Sequence, residues 1–489
     1  MAETISPDYL IIGAGAMGMA FADTMVSESK ATMAIVDRYS RPGGHWTIAY
    51  PHVTLHQPST SYGVNSRELG EGTVDQVGLN KGYSELATGD EILAYFGKIM
   101  NQTLLPSGRV AYYPKHEYMG DGEFRSVVSK KVIRVGPNTR IVDATYLDVR
   151  VPAMGPPAYE VADNVELITP NGLATMSRSY DAYTVVGAGK TAVDACLWLL
   201  GQGTDPKIIS WIMPRDSWFM ERGNLQPAET TKDPVKQGKL QAEATMGASS
   251  SANLFERLEA SGHALRVDKK ITPSMFRFAI VSNMEMDEVR KIENIIRLGR
   301  VVRLDTEQVT LEKGTYTPVR NTLYIDCSAA ALTKRPTVPV FNGKELKLQC
   351  VKMIQQVFSA AFIAHVEANY DTDEVKNELC RPLGFPSKPS DYAPLLRTTF
   401  QNRLRWIQEP KTVAWLDKAR LDFSFLGPVP KDPEQAARFI ASQPAKMTAI
   451  CSKMEDIIKN DTLSEATVKA SIPTQNDLVA SMQATSIAA

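Results

Sequence analysis

Two short glycine-rich turns carry most of the chemistry legible in this chain. Gly13-Ala14-Gly15-Ala16-Met17-Gly18 follows the apolar run Asp8 to Ile12 and precedes an Ala- and Met-rich stretch reaching about Ser29. Strand, GxGxxG turn and helix in that order form an anion site. Gly13 makes the tight turn, Gly15 lets the backbone approach a pyrophosphate, and Gly18 lets helix and strand pack closely. A second strand, Ala31 to Val36, ends in Asp37, about 20 residues past the turn, where a carboxylate can accept both hydroxyls of a ribose. Arg38, next to it, is expected to join the same contact. A glycine turn alone says little, but four elements agreeing in order and spacing predict a bound dinucleotide.

The pattern recurs in mid-chain. Tyr183-Thr184-Val185-Val186 reads as a strand, Gly187-Ala188-Gly189-Lys190-Thr191-Ala192 as a GxGxxA turn, and Val193 to Leu200 as an apolar helix closing at Gly201. The Gly-Lys-Thr tripeptide does not make a P-loop, which needs a glycine where Thr184 stands. The next strand, Lys207 to Ile212, ends in Met213-Pro214-Arg215 instead of an acid. A guanidinium there suits the 2′-phosphate that distinguishes NADPH from NADH; the competing reading is a solvated surface cation. Lys190, with Thr191 after it, either helps hold phosphate or simply starts the helix.

After Asp37 come five residues and then Gly43-Gly44-His45-Trp46, followed by Tyr50-Pro51-His52-Val53-Thr54-Leu55-His56-Gln57-Pro58-Ser59. An acid, five residues and GGxW resembles the flavin-containing and Baeyer-Villiger monooxygenases, and the YP and PS pairs are similar to the Baeyer-Villiger branch. The resemblance implies that the first dinucleotide is FAD, that Gly44, His45 and Trp46 lie near it, and that His56 or Gln57 is a polar catalytic residue beside flavin or cofactor. It also implies an α/β fold with two Rossmann-like domains, the NADPH domain inserted in the FAD domain, and a helical C-terminal region. The expected boundaries are 1–170 and 321–390 for the FAD domain, 171–320 for the NADPH domain and 391–489 for the helices. The implied reaction is NADPH-driven monooxygenation of a small organic substrate by molecular oxygen through a flavin hydroperoxide, at N or S or by Baeyer-Villiger insertion. An NADPH-dependent flavin reductase or dehydrogenase without oxygen insertion, or a protein holding FAD in a non-redox role, are the alternatives. The families' FxGxxxH linker is not found between the glycine turns, where Tyr113 to Gly120 is the nearest aromatic and basic cluster.

Composition narrows the field further. At 489 residues and 43% hydrophobic, the chain is long enough for two or more cores. Its 54 basic and 55 acidic residues offer no field for a polyanion or an anionic membrane, so neither nucleic acid nor membrane is an expected partner; homo-oligomer formation stays open. Cys196, Cys327, Cys350, Cys380 and Cys451 are too dispersed for a disulfide framework or a redox CxxC, which points to a reducing, cytoplasmic setting and away from dithiol chemistry. His45, His52 and His56 cluster within twelve residues, yet Pro51 and Pro58 prevent a helix that would align them, so no metal is expected. The Tyr9 to Ile12 run reads as a strand and not a signal peptide. Pro227 to Ser251 reads as a polar loop or lid, Val351 to Asn369 as an amphipathic helix, and the tail after Ser471 as disordered.

Overall fold

The computed structural model describes residues 3–227, 230, 234–329, 331–422 and 432–471. The fold is mixed α/β, organised by two parallel sheets. In the first, Tyr9–Ile12 is central. Met33–Asp37 and then Val110–Pro114 lie on one side, Arg140–Asp143 and then Glu345–Lys347 on the other, all parallel, with Phe341–Asn342 closing the edge antiparallel. Chain connections therefore leave the central strand in opposite directions, which opens a crevice beyond the strands' carboxyl ends. The second sheet repeats the plan: Ala182–Val186 lies between Ile209–Ile212 and Thr322–Asp326, with Asn294–Ile296 and Glu166–Ile168 outside them, all parallel. The β-branched, apolar runs suit strands buried on both faces, as parallel sheets require.

Two strand pairings cross the expected boundaries. Glu166–Ile168, before residue 171, pairs with Thr322–Asp326 in the second sheet. Thr322–Asp326 in turn pairs residue for residue with Ala182–Val186, so the chain rejoins the first sheet at Phe341–Asn342 and Glu345–Lys347 rather than at 321. An apolar run declares itself a strand, but nothing local in it names its neighbour.

Three helical expectations also change. The helix expected from Val351 begins at Gln356, because the preceding residues are tied elsewhere: Lys352 pairs with Asp422, and the Met353 amide donates to Thr399 Oγ1 at 3.1 Å. This Gln356–Asn369 helix is not amphipathic. It is buried continuously from Val357 to Glu367, sandwiched between the Ala16–Glu28 helix and the C-terminal helices. Phe362 meets Trp406 at a ring separation of 4.2 Å, and burial of Phe358 and Phe362 contributes about 1.5–3 kcal/mol each. The segment read as a polar loop contains the Pro234–Met246 helix, which packs on Ser251–Ala260 and on the Pro433–Ser471 helix. Its few small apolar residues, Ala244 among them, suffice because large partners such as Phe255 and Met454 fill that core.

The C-terminal region contributes the helices Tyr392–Trp406, Pro410–Leu416 and Pro433–Ser471. The tail after Ser471 lies outside the described residues. Among the described residues no helix is long and apolar enough to cross a membrane.

Candidate active site

The Ala16–Glu28 helix starts at Gly15 without a side-chain cap, so its first amides point free from the carboxyl end of the first sheet. A cavity of about 570 Å³ opens there, lined by Gly13, Gly15, Asp37, Arg38, Gly44 and His45. Close packing shapes its floor. A Cβ on Gly18 would fall 2.0 Å from the Gly13 carbonyl oxygen, and one on Gly44, at φ +59, would fall 2.9 Å from Gly15 Cα. The Gly43 amide donates to the Ala14 carbonyl at 2.8 Å, so the GGxW segment rests directly on the glycine turn.

Asp37 is buried and accepts from the amides of Ala14 at 2.6 Å and Tyr39 at 2.7 Å. Burial raises its pKa while those two amides oppose the rise. Its carboxylate therefore braces the turn as well as lining the cavity. The opposite wall comes from the His116–Gly120 strand, through His116 and Tyr118, with Arg125 beside them. This is the aromatic and basic cluster visible in the sequence, to which no ligand contact could be assigned from spacing.

At the second glycine turn, the Lys190–Gly201 helix also starts uncapped, at Gly189. Gly187 lies against the segment after Thr322–Asp326: a Cβ there would stand 2.6 Å from the Cys327 carbonyl oxygen. Lys190 does not reach out alone. It forms an ion pair with Asp194 one turn along and lies 3.7 Å from Glu285, while Asp194 accepts the Tyr50 hydroxyl at 2.6 Å. Lys190, Thr191 and Asp194 line a second, inner cavity of about 310 Å³. Arg215 is exposed and outside the walls of both cavities, its Nη2 at 3.8 Å from Met275 Sδ. Its charge reaches Arg277: burial first, and the charge of Arg215 second, lower the Arg277 pKa.

The inner cavity brings together His45, Trp46, His56 and Gln57, and it meets the first cavity at His45, Tyr62, Val149 and Gln356. Trp46 Nε1 donates to Tyr62 Oη at 2.9 Å, which fixes the indole at this junction. His56 Nδ1 accepts the Ile280 amide at 3.1 Å, so Nε2 carries the proton. Burial, then the charges of Lys190 and Arg222, push the His56 pKa down to about 3; burial alone takes His45 to about 4.

A depressed histidine pKa has a defined stability consequence. Below about pH 6.5 the unfolded chain takes a proton that folded His56 refuses until pH reaches about 3, so acid withdraws stability across that window. Between pH 7 and pH 5, His56 is expected to withdraw about 1–2 kcal/mol, discounted because its accessible surface faces the cavity. Urea midpoints at the two pH values should differ less in His56→Asn than in the unsubstituted protein; equal differences would show that His56 is not buried neutral.

Sequence reasoning missed Asp194, Arg222, Arg277 and Glu285. Asp194 left a signal, standing four residues after Lys190 on one helix face. Arg222, Arg277 and Glu285 lie in stretches without a motif and reach the site only through tertiary packing.

No protein-family model matches the chain. Among solved structures, it is similar to an open form of cyclohexanone monooxygenase, with 13% identity over 94% of this chain and 99% of that one and a TM-score of 0.48. A flavin-containing monooxygenase from Stenotrophomonas maltophilia aligns with 11% identity over 74% of this chain and 97% of that one, at a TM-score of 0.43. In sequence, the chain is 47% identical over 443 residues, 90% of its length and 82% of the relative's, to the protein described as "Uncharacterized protein Rv2000" of Mycobacterium tuberculosis. The same identity and coverage hold for "Uncharacterized protein Mb2023" of Mycobacterium bovis, and the chain belongs to the family of these mycobacterial proteins.

Proposed function

We propose that the chain is an FAD- and NADPH-dependent oxidoreductase that monooxygenates a small organic substrate. The observation that carries this reading is the junction of the two cavities. Glycine turns on two parallel sheets, each with an uncapped helix N-terminus, lead to spaces that share His45, Tyr62, Val149 and Gln356. Two dinucleotides bound at such turns would bring their reactive rings to one place, and hydride transfer needs that proximity.

The residues present fit FAD in the first cavity. The free amides of the Ala16–Glu28 helix suit a pyrophosphate, Gly15 and Gly44 leave the approach clear, and Asp37 suits a ribose. FAD would supply electron transfer from NADPH and the activation of oxygen. The chain's own groups set the conditions. Neutral His56 offers an Nε2–H donor without titrating near neutrality, and Gln57 offers a second polar group. Apolar walls, Val53 and Leu55 among them, exclude water. All five cysteines are free and buried, so none is placed for thiol exchange. Arg215 and Arg277, whose positive charges act on each other, are the groups we assign to the 2′-phosphate, whose charge would relieve their repulsion.

The test is spectroscopic. The purified protein is expected to show a flavin band that bleaches on anaerobic addition of NADPH faster than with NADH, and then to consume oxygen in step with oxygenated product when air and substrate are admitted. In Arg215→Ala the KM for NADPH should rise about tenfold with little change for NADH, an effect worth ~1.4 kcal/mol. Oxygen consumption without product would leave the flavin reductase; a flavin that NADPH does not bleach would refute an oxidoreductase.

A further inference from the structure

Tyr62 stands where the two cavities meet, and its hydroxyl accepts the Trp46 indole N–H at 2.9 Å. The stretch that carries it, residues 58–67, makes a single turn at Ser59–Ser61 and then a sharp bend at Gly63, φ +95. A Cβ on Gly63 would stand 2.4 Å from Tyr95 Oη, so bend and phenol are in contact. A stretch this short cannot satisfy all its own amides and carbonyls, which must find partners elsewhere.

Side chains from three other parts of the fold supply them. Asp23, on the Ala16–Glu28 helix, accepts the Ser66 amide at 3.0 Å. Tyr95, on the Gly89–Ile99 helix, accepts the Val64 amide at 2.8 Å and donates to the Arg67 carbonyl at 2.6 Å. Arg420, 356 residues beyond Val64, takes the carbonyls around Tyr62. Its Nη1 donates to Thr60 at 2.6 Å, its Nη2 to Tyr62 at 2.8 Å and its Nε to Val64 at 3.0 Å. One planar guanidinium thus spans three alternate carbonyls, a fit that its fixed fork allows and a flexible ammonium does not.

The guanidinium is itself firmly placed. Arg420 is half-buried, and burial lowers its pKa, with Tyr95, Glu68 and Asp23 acting against the fall. Ala419 and Leu421 on either side are buried in the same hydrophobic core as Tyr62 and Phe96. Asp422 accepts from Arg403 Nη1 at 2.7 Å and pairs with Lys352, and the residues after Lys352, 353–357, line the inner cavity. Arg420 and Asp422 therefore tie two stretches of the cavity wall to one short C-terminal segment.

We propose that Arg420 is a positioning residue: by holding the carbonyls of Thr60, Tyr62 and Val64 it keeps Tyr62, and through it the Trp46 indole, at the junction of the two cavities. Its bearing on hydride transfer rests on the flavin reading above, and the test separates the two. In the holoprotein with heavy nitrogen in its tryptophans, magnetic resonance reads the Trp46 indole N–H directly. Trp211, whose Nε1 donates to the Gly187 carbonyl at 2.6 Å in the second sheet, is the control.

In Arg420→Lys the Trp46 indole N–H should exchange with solvent at least about tenfold faster, while Trp211 keeps its rate. The rate constant for flavin bleaching at saturating NADPH should fall at least about tenfold with half-saturation unchanged, because a small misplacement costs rate rather than binding. Arg420→Gln should act likewise, and keeps the test open where Arg420→Lys folds poorly. In a Tyr62→Phe background, where the Trp46 contact is already lost, Arg420→Lys should slow bleaching by less than about twofold. Unchanged Trp46 exchange, equal acceleration of Trp46 and Trp211, an unaltered bleaching rate in variants with normal flavin content, or an equal loss in both backgrounds would overturn the proposal. If NADPH fails to bleach the flavin of the unsubstituted protein, the oxidoreductase is refuted, and faster Trp46 exchange alone would still sustain the placement of Tyr62 by Arg420.

Discussion

Gly15→Val is expected to give a folded protein that has lost its flavin. Gly15 has φ −76 and ψ −179, a conformation open to any residue, and an added Cβ would meet Gly44 at ordinary distances, 3.5 Å to its Cα and 3.9 Å to its N. The fold can therefore accept a side chain there. The ligand cannot, because the new methyl groups would occupy the approach to the uncapped helix amides where a pyrophosphate must lie. Affinity for FAD should fall by at least about tenfold per 1.4 kcal/mol of lost contact, enough to leave the purified protein colourless, with far-ultraviolet circular dichroism unchanged. Gly18→Ala is the contrast. Its Cβ would lie 2.0 Å from the Gly13 carbonyl oxygen, so strand and helix must part, at a cost of about 1–3 kcal/mol or more, and both flavin and fold should suffer. A yellow Gly15→Val protein with normal FAD content would remove the first cavity from consideration as the flavin site.

The same two glycines show what could be read before the structure. Turn chemistry is local, so Gly13, Gly15, Gly187 and Gly189 stand at strand-to-helix turns, and Gly18 in the first turn of the helix, as their spacing implies. Gly44 and His45 line the first cavity and Trp46 the inner one, and it was the resemblance of the GGxW segment, close in sequence to Asp37, that singled them out. Pairing between distant segments was not legible. Thr322–Asp326 is as apolar as the strands of either sheet, and its partner was decided by packing more than a hundred residues away. Helix burial was equally hidden: the Gln356–Asn369 helix has neighbours on all sides, so its sequence lacks the polar face by which a surface helix is recognised. Lys190 was legible as a site residue but not as a paired one, because Glu285 reaches it from 95 residues further along the chain.

Arg222 is the member of that network whose loss should cost most. The residue is fully buried at 0% exposure, and it reaches three separate elements: Nε donates to the His56 carbonyl at 3.2 Å, Nη1 donates to Asn80 Oδ1 at 3.1 Å, and Nη2 forms an ion pair with Glu285 Oε2 at 2.7 Å. Glu285 is itself buried, and although burial acts to raise its pKa, Lys190 and Arg222 hold it below the usual carboxylate value. Arg222→Met would leave that carboxylate with the Lys190 charge at 3.7 Å and the Ser282 amide at 2.6 Å, a carboxylate in low dielectric that has lost its nearer cation. The expected loss is about 3–5 kcal/mol, read as a lowered denaturant midpoint at unchanged slope. Arg222→Lys should recover little, because an ammonium cannot reproduce the planar fork that reaches three acceptors. Adding Glu285→Gln to Arg222→Met should restore part of the loss, since the orphaned charge is removed with its partner. Because a depressed carboxylate contributes stability above its unfolded pKa and loses it as pH falls through the folded one, the penalty of Arg222→Met should be large at pH 7 and shrink below about pH 4. A penalty independent of pH, and undiminished by Glu285→Gln, would mean that Arg222 acts by packing and by holding the His56 carbonyl rather than through its charge.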